Sequence, residues 1–205
     1  MALNYGVFLA RMQPVHNAHL HMIHKALEES DRVLVVLGSE NKVDMIRNPY
    51  DIKLREQMLR ECLAPEDNER LEIVTLPDWS MESDVENAEI WGRYFYYNVV
   101  SRIGQKHFAL FYSDGKENLD SWFKETEVYP YIEYRLFERN SLFDGLSATK
   151  IRRAFETGDR DYVKRFCPES VQKRFDLLAS HFKNVLANPK EDFSMDEQAT
   201  STLTI

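Results

Sequence analysis

Short unbroken apolar runs alternate along the chain with stretches whose apolar residues recur every three or four positions. Residues 5–10 and 32–38 are continuous apolar runs of strand length, the pattern of strands buried on both faces. Between them Leu20, Ile23 and Leu27 fall on one side of a helix that ends near Ser30 and Asp31. Asp51, with Pro49 just before it, predicts the N-cap of a helix reaching about residue 63. Further strands are predicted at 71–76, 108–112 and 132–137, and an aromatic-rich helix at 85–103. Ser147 opens a helix through Phe155 that Gly158 stops, and Pro168 opens a last helix to about residue 186. Strands alternating with helices predict an α/β fold, a doubly wound parallel sheet with helices at its C-terminal end. From Asn188 the pattern is polar and aperiodic, which predicts one domain over 1–187 and a mobile tail over 188–205.

In such sheets ligands lie beyond the carboxyl ends of the strands. The chemistry is therefore expected at 11–19, 38–55, 78–91, 113–116 and 147–152. Composition narrows what it can be. The 205 residues suit one sizeable domain, and 43% hydrophobic with 29% charged residues is ordinary for a globular protein. A formal charge of −8 argues against a nucleic-acid partner, so an anion-handling protein of this kind must gather cations locally. No apolar run is long enough for a membrane span, and no basic-then-apolar leader opens the chain. Cys62 and Cys167 form no CxxC pair, which fits a reducing cytoplasm better than a disulfide scaffold. GxxxxGK[ST] and GxGxxG are both missing.

Two helix beginnings carry candidate chemistry. The first is the turn from Ala10 through Arg11, Met12, Gln13, Pro14, Val15, His16, Asn17 and Ala18 to His19. A strand-to-helix turn aims free N–H groups and the positive end of a helix dipole at one point. Two imidazoles three residues apart share a face there, and Arg11 adds a fixed charge. Taken singly, His16, His19, His21 and His24 each read as solvated or core histidines. A zinc site is disfavoured because His21 and His24 point away from the other pair and no cysteine completes a set. The second beginning is Leu146-Ser147-Ala148-Thr149-Lys150-Ile151-Arg152. Ser147 suits an N-cap, the next turn offers amides and hydroxyls, and Arg152 can bridge phosphate oxygens. Alone it reads as simple capping; the pair of turns is what points to a shared polyanion.

Together these residues resemble the nucleotidyltransferase superfamily marked by a His-x-Gly-His turn and a Ser-Ser-Thr-x-Ile-Arg helix. The likeness runs over about residues 5–175 and implies a Rossmann-like sheet. The turn's glycine is Ala18 here, the residue before Arg11 is Ala10, and the second serine is Ala148. The first two tighten the approach of backbone to phosphate, and the third removes a hydroxyl. More of the chain resembles one branch, the nicotinamide mononucleotide (NMN) adenylyltransferases of archaeal type and the adenylyltransferase half of bacterial proteins fused to a Nudix domain. Gly38-Ser39, Arg47-Asn48-Pro49-Tyr50, Arg55-Glu56-x-Met58, Asp78-Trp79, Asn87, Trp91 and Pro168-Glu-Ser-Val171 carry that likeness. After the fourth strand the chain departs from it, with Tyr112-Ser-Asp-Gly-Lys-Glu117 where relatives tend to show Gly-His-x-Lys-Asp. The length leaves no room for a Nudix domain, which predicts a single activity.

The resemblance implies adenylyl transfer from ATP to NMN, giving NAD and pyrophosphate, with Mg²⁺ carried mainly by the ATP phosphates. It implies His16, His19, Arg11 and Arg152 as the catalytic group, and Met12, Gln13, Ser147, Thr149, Lys116 and Ile151 as further ATP contacts. It implies Gly38, Ser39, Arg47, Asn48, Trp79, Asn87 and Trp91 around NMN, with the indole of Trp91 on the cationic ring. The residues by themselves leave Trp91 equally readable as core and Arg47 as a solvated loop cation. Other phosphorylated acceptors, among them nicotinate mononucleotide and pantetheine phosphate, would suit the same two turns. A non-catalytic nucleotide sensor on this fold, or a homo-oligomer, is also compatible with the sequence.

Overall fold

A computed structural model of the chain describes residues 4–78, 87–113, 116–137 and 143–190, the side chains of 116–118 excepted. Five strands, β1 (Tyr5–Ala10), β2 (Arg32–Leu37), β3 (Leu71–Thr75), β4 (Phe108–Ser113) and β5 (Ile132–Phe137), form one sheet in the order β3-β2-β1-β4-β5. Every pairing is parallel, from Tyr5 beside Arg32 to Ser113 beside Phe137. Parallel strands need crossovers, and the helices that supply them cover both faces. Alternation along the strands sorts the core into two layers. Phe8, Val33, Val35, Leu37 and Phe111 face one side, where they meet α1 (Asn17–Glu29), α2 (Ile52–Arg60) and the C-terminal helices. Val7, Leu34, Val36, Phe108 and Leu110 face the other, against α4 (Ala88–Ile103) and α5 (Lys116–Phe123). The doubly wound α/β reading holds.

Side-chain caps start two of the predicted helices. The Asp51 carboxylate accepts the Leu54 N–H at 2.8 Å and starts α2. Ser147 caps α6 (Ala148–Thr157), and Gly158, in the left-handed region at φ 80°, ends it. Three short helices were not anticipated: α3 (Pro65–Arg70), α5 and α7 (Arg160–Phe166). The single helix expected after Pro168 is two, α8 (Glu169–Gln172) and α9 (Phe175–Ala187). Arg174 leaves helical geometry between them (φ −99°, ψ 12°), and its guanidinium forks onto both carboxylate oxygens of Glu61, the C-cap of α2, at 2.7 and 2.8 Å.

Two features of this framework position the site. In the order 3-2-1-4-5 the chain leaves β1 in one direction for β2 and β3, then returns to β4 and β5 on the other side. The crevice above the carboxyl ends of β1 and β4 is thus the topological switch point. On the second face, α5 lies directly on α4 because position 92 is glycine: a Cβ there would stand 2.0 Å from the Trp122 carbonyl oxygen. The tail expected from Asn188 is held at its start, since Lys190 pairs with Asp44; residues 191–205 lie outside the described residues. No described helix is long and apolar enough to cross a membrane.

Candidate active site

The crevice at the switch point is a cleft of about 330 Å³, lined by the ends of β1 and β4, the β1–α1 turn and the start of α6. His16 is extended (φ −145°, ψ 170°) and is the N-cap of α1. The His16 N–H donates to Nδ1 of His19 at 3.3 Å, and the two imidazoles stack with centroids 3.7 Å apart. An Nδ1 that accepts leaves the neutral His19 ring with its proton on Nε2, so this ring is set as a donor. Both histidines line the cleft.

Across the cleft, Ser147 Oγ accepts the Lys150 N–H at 3.4 Å, which leaves its own hydroxyl proton to be donated. Arg152 joins the two turns physically. One guanidinium nitrogen donates to the Gln13 carbonyl at 2.8 Å and another to Thr149 Oγ1 at 3.2 Å. Gln13 in turn clasps Tyr50, its amide donating to the Tyr50 carbonyl at 3.0 Å and accepting the Tyr50 N–H at 2.9 Å. The two helix beginnings, separated by more than a hundred residues, thus meet at one point.

Their charge is concentrated. Arg11, Arg47 and Arg152 all line the cleft, and no carboxylate does so among the described residues. Burial, with the charges of Arg11 and Arg47 adding to it, pushes the Arg152 guanidinium down to about 10, still ionised at neutral pH. Beneath them Arg55 is wholly buried and donates to the carbonyls of Arg11 (2.8 Å), Gly38 (2.8 Å) and Ser39 (3.2 Å). It ties together the carboxyl ends of β1 and β2, and burial pushes it too down to about 10. An acidic chain has gathered cations and imidazole and hydroxyl donors in one cleft, an arrangement suited to holding a polyphosphate and cancelling charge that develops on it.

Comparison with known proteins agrees. Residues 7–154 match the cytidylyltransferase-like family. The chain belongs to that family. It is a nucleotidyltransferase, and its relatives narrow the branch. It is 31% identical to the nicotinamide/nicotinic acid mononucleotide adenylyltransferase of Acinetobacter baylyi over 158 residues, 76% of this chain and 77% of that protein. It is 27% identical to the nicotinamide-nucleotide adenylyltransferase of Thermococcus kodakarensis over 188 residues, 87% of this chain and 90% of the other. In fold it is similar to a bifunctional NMN adenylyltransferase/ADP ribose pyrophosphatase from Francisella tularensis, crystallised with AMP and a manganese ion, at TM-score 0.68 and 21% identity. That likeness covers 90% of this chain but only 52% of the larger protein.

In the transferase, the sequence-derived residues divide. Arg11, Met12, Gln13, His16, His19, Arg47, Ser147, Thr149 and Arg152 line the cleft together. Ile151 does not: its side chain is fully buried in the core and its N–H is bonded to the Ser147 carbonyl at 3.2 Å. Gly38, Ser39, Asn48 and Asn87 do not line it either. Gly38 and Ser39 instead offer their carbonyls to Arg55, buried Asn48 closes a turn with Met45, and Asn87 is the N-cap of α4. Trp91 is likewise not among the residues that line this cleft. It packs at the edge of the second core layer, edge-on to Trp122 with centroids 6.0 Å apart, and among the described residues Trp122 is the indole that lines the cleft. Trp79 and the side chain of Lys116 lie outside the described residues. Of the departures from the family pattern, Ala10 and Ala148 line the cleft, whereas Ala18 points into the core. His21 leans on Phe137 and His24 on Asp67, away from His16 and His19.

Sequence reasoning missed Trp122, Phe95, Leu119 and Tyr112 as cleft residues. The spacing of Leu119, Trp122 and Phe123 was a readable helical signal for α5. Nothing local could show which of Trp91 and Trp122 faces the cleft.

Proposed function

We propose that the protein is an NMN adenylyltransferase: it joins the phosphate of nicotinamide mononucleotide to the α-phosphorus of ATP, forming NAD and releasing pyrophosphate. The observation that carries this reading is the convergence of the His16–His19 turn and the Ser147–Arg152 turn on one cleft, tied by the hydrogen bond from Arg152 to Gln13. The likeness to proteins named for that activity favours the pyridine mononucleotide as acceptor.

No protein nucleophile is needed, because the acceptor's phosphate is itself the attacking group. One of its oxygens forms a bond to the α-phosphorus while the bond from that phosphorus to the α,β-bridging oxygen breaks, and pyrophosphate leaves with the electron pair. Catalysis comes from alignment and from cancelling charge. His19, held as an Nε2–H donor, and His16 contact the α- and β-phosphates; Arg11 and Arg152 steady the departing pyrophosphate. Ser147 and Thr149 donate to the terminal phosphates. The residues present fit a Mg²⁺ that arrives on the nucleotide, for the described cleft offers hydroxyls and cations but no carboxylate to hold a resident ion. Bound there, the ion neutralises triphosphate charge.

Arg47 holds the phosphate of the acceptor. Trp122, with Phe95 and Leu119 beside it, takes the stacking role expected of Trp91, which backs it edge-on. Measuring pyrophosphate release from ATP against a panel of phosphorylated acceptors (nicotinamide mononucleotide, its acid analogue, pantetheine phosphate) tests the reading. Turnover at least tenfold more efficient with another class of acceptor than with either pyridine mononucleotide would remove it.

A further inference from the structure

Arg47 sits on an irregular loop between β2 and α2, and the structure fastens that loop from an unexpected direction. Met45 and Asn48 exchange backbone hydrogen bonds at 3.4 and 3.0 Å, so residues 46 and 47 form the tip of a tight turn. On one side of the tip stands Asp44, in the left-handed region at φ 61°, which Asp tolerates better than most non-glycine residues. Its Oδ2 receives Lys190 Nζ at 2.6 Å, its Oδ1 lies 3.2 Å from His181 Nε2, and its carbonyl accepts the Lys190 N–H at 3.0 Å. On the other side, the same His181 Nε2 is 2.8 Å from the Pro49 carbonyl, and the Tyr50 hydroxyl donates to the Leu178 carbonyl at 3.2 Å. A carbonyl only accepts, so His181 Nε2 carries the proton and reaches both flanks of the tip. The anchor is thus α9 together with Lys190 just beyond it, where the pattern predicted the start of a mobile tail.

We infer that Asp44 is a positioning residue: clamped by Lys190 and His181, it fixes the turn that presents Arg47 to the cleft, and through Arg47 it sets affinity for the acceptor's phosphate. This rests on the proposed role of Arg47. Each ion pair is half exposed and weak alone. Their effect is to remove alternatives for a loop that has no ladder or helix to order it, which raises the fraction of time the guanidinium spends in place.

Asp44→Gly separates backbone from carboxylate, because glycine keeps the left-handed conformation without strain while deleting the clamp. Asp44→Asn keeps shape and an acceptor oxygen. The expected result for Asp44→Gly is a rise of about fivefold in KM for the mononucleotide, the upper range for exposed pairs, with kcat within about twofold and KM for ATP unchanged. Asp44→Asn recovers part of it. In an Arg47→Ala background Asp44→Gly adds nothing, the non-additivity that marks action through a shared partner. Amide hydrogen exchange over 39–50 speeds up in Asp44→Gly without any substrate present. An equal KM increment in the presence and absence of Arg47, or unchanged exchange over 39–50, overturns the inference. Wild-type turnover on the acceptor panel, measured first, reports on the proposed function separately, and the exchange measurement reads the clamp whichever acceptor is used.

Discussion

The two walls of the cleft are built by different means. The wall proposed to hold phosphate consists of two helix beginnings whose donors lie within a few residues of one another, at His16–His19 and Ser147–Arg152, so its side chains come from short segments. The aromatic wall is assembled from one or two residues of each of three separate elements: Phe95 from α4, Leu119 and Trp122 from α5, Leu110 and Tyr112 from β4. The phosphate wall is set by capping and by hydrogen bonds; the aromatic wall by how closely two helices pack. A local wall is robust to distant change and sensitive to single donors. A packed wall should show the reverse.

The largest effect is expected at the phosphate wall. His19→Ala should fold normally by circular dichroism yet lose about a hundredfold or more in kcat, since removing one preorganised donor at a transition state typically costs about 3 kcal/mol. Turnover within about threefold of wild type would show that this wall does not act as described. Arg55→Met probes the support beneath it. Losing the buried fork leaves the Arg11, Gly38 and Ser39 carbonyls without their donor, and about 2–4 kcal/mol of stability should go with it, read from urea melts.

The aromatic wall is probed by Gly92→Ala, a residue that does not itself line the cleft. The added Cβ meets the Trp122 carbonyl at 2.0 Å, so α5 must shift; about 1–3 kcal/mol of destabilisation is expected, with a higher KM for the mononucleotide and an unchanged KM for ATP. Trp122→Ala should raise the mononucleotide KM about tenfold, against about twofold for Trp91→Phe. The reverse ranking would return the stacking role to Trp91.

The smallest effect concerns pH. The hydrogen bond from Lys190, with the charges of Lys190 and His181 added, holds the Asp44 carboxyl below its ordinary 3.8. A depressed folded value means the stabilisation is present above the unfolded value and is lost as pH falls through the folded one. The melting temperature of Asp44→Asn should therefore lie slightly below wild type at pH 6, and the gap should close in strongly acidic buffer. A gap that widens on acidification would contradict that sign.

These comparisons follow the line between what was legible in the sequence and what was not. Strand positions were readable because fully buried parallel strands are continuous apolar runs, and β1 begins and ends where its pattern does. The starts of α2 and α6 were readable because Asp51 and Ser147 act on amides three residues away. α3 was overlooked although Pro65, Glu66 and Asp67 give its first turn the usual composition, and α7 although Asp159 caps it through the Tyr162 N–H at 2.9 Å. Those misses were avoidable. Others were not: Arg55 has the look of a helix-surface cation, and its burial follows only from three carbonyls supplied by the segments that follow β1 and β2.

The sequence by itself determined the α/β order, the starts of α2 and α6 and the residue types gathered in the two turns, because each depends on periodicity or on contacts within about one turn. Tertiary structure alone decided that Arg152 bonds Gln13, that Trp122 rather than Trp91 faces the cleft, and that Lys190 reaches Asp44. Those outcomes depend on distances between residues far apart in the chain, and no local pattern encodes a distance that only the packed sheet and its helices create.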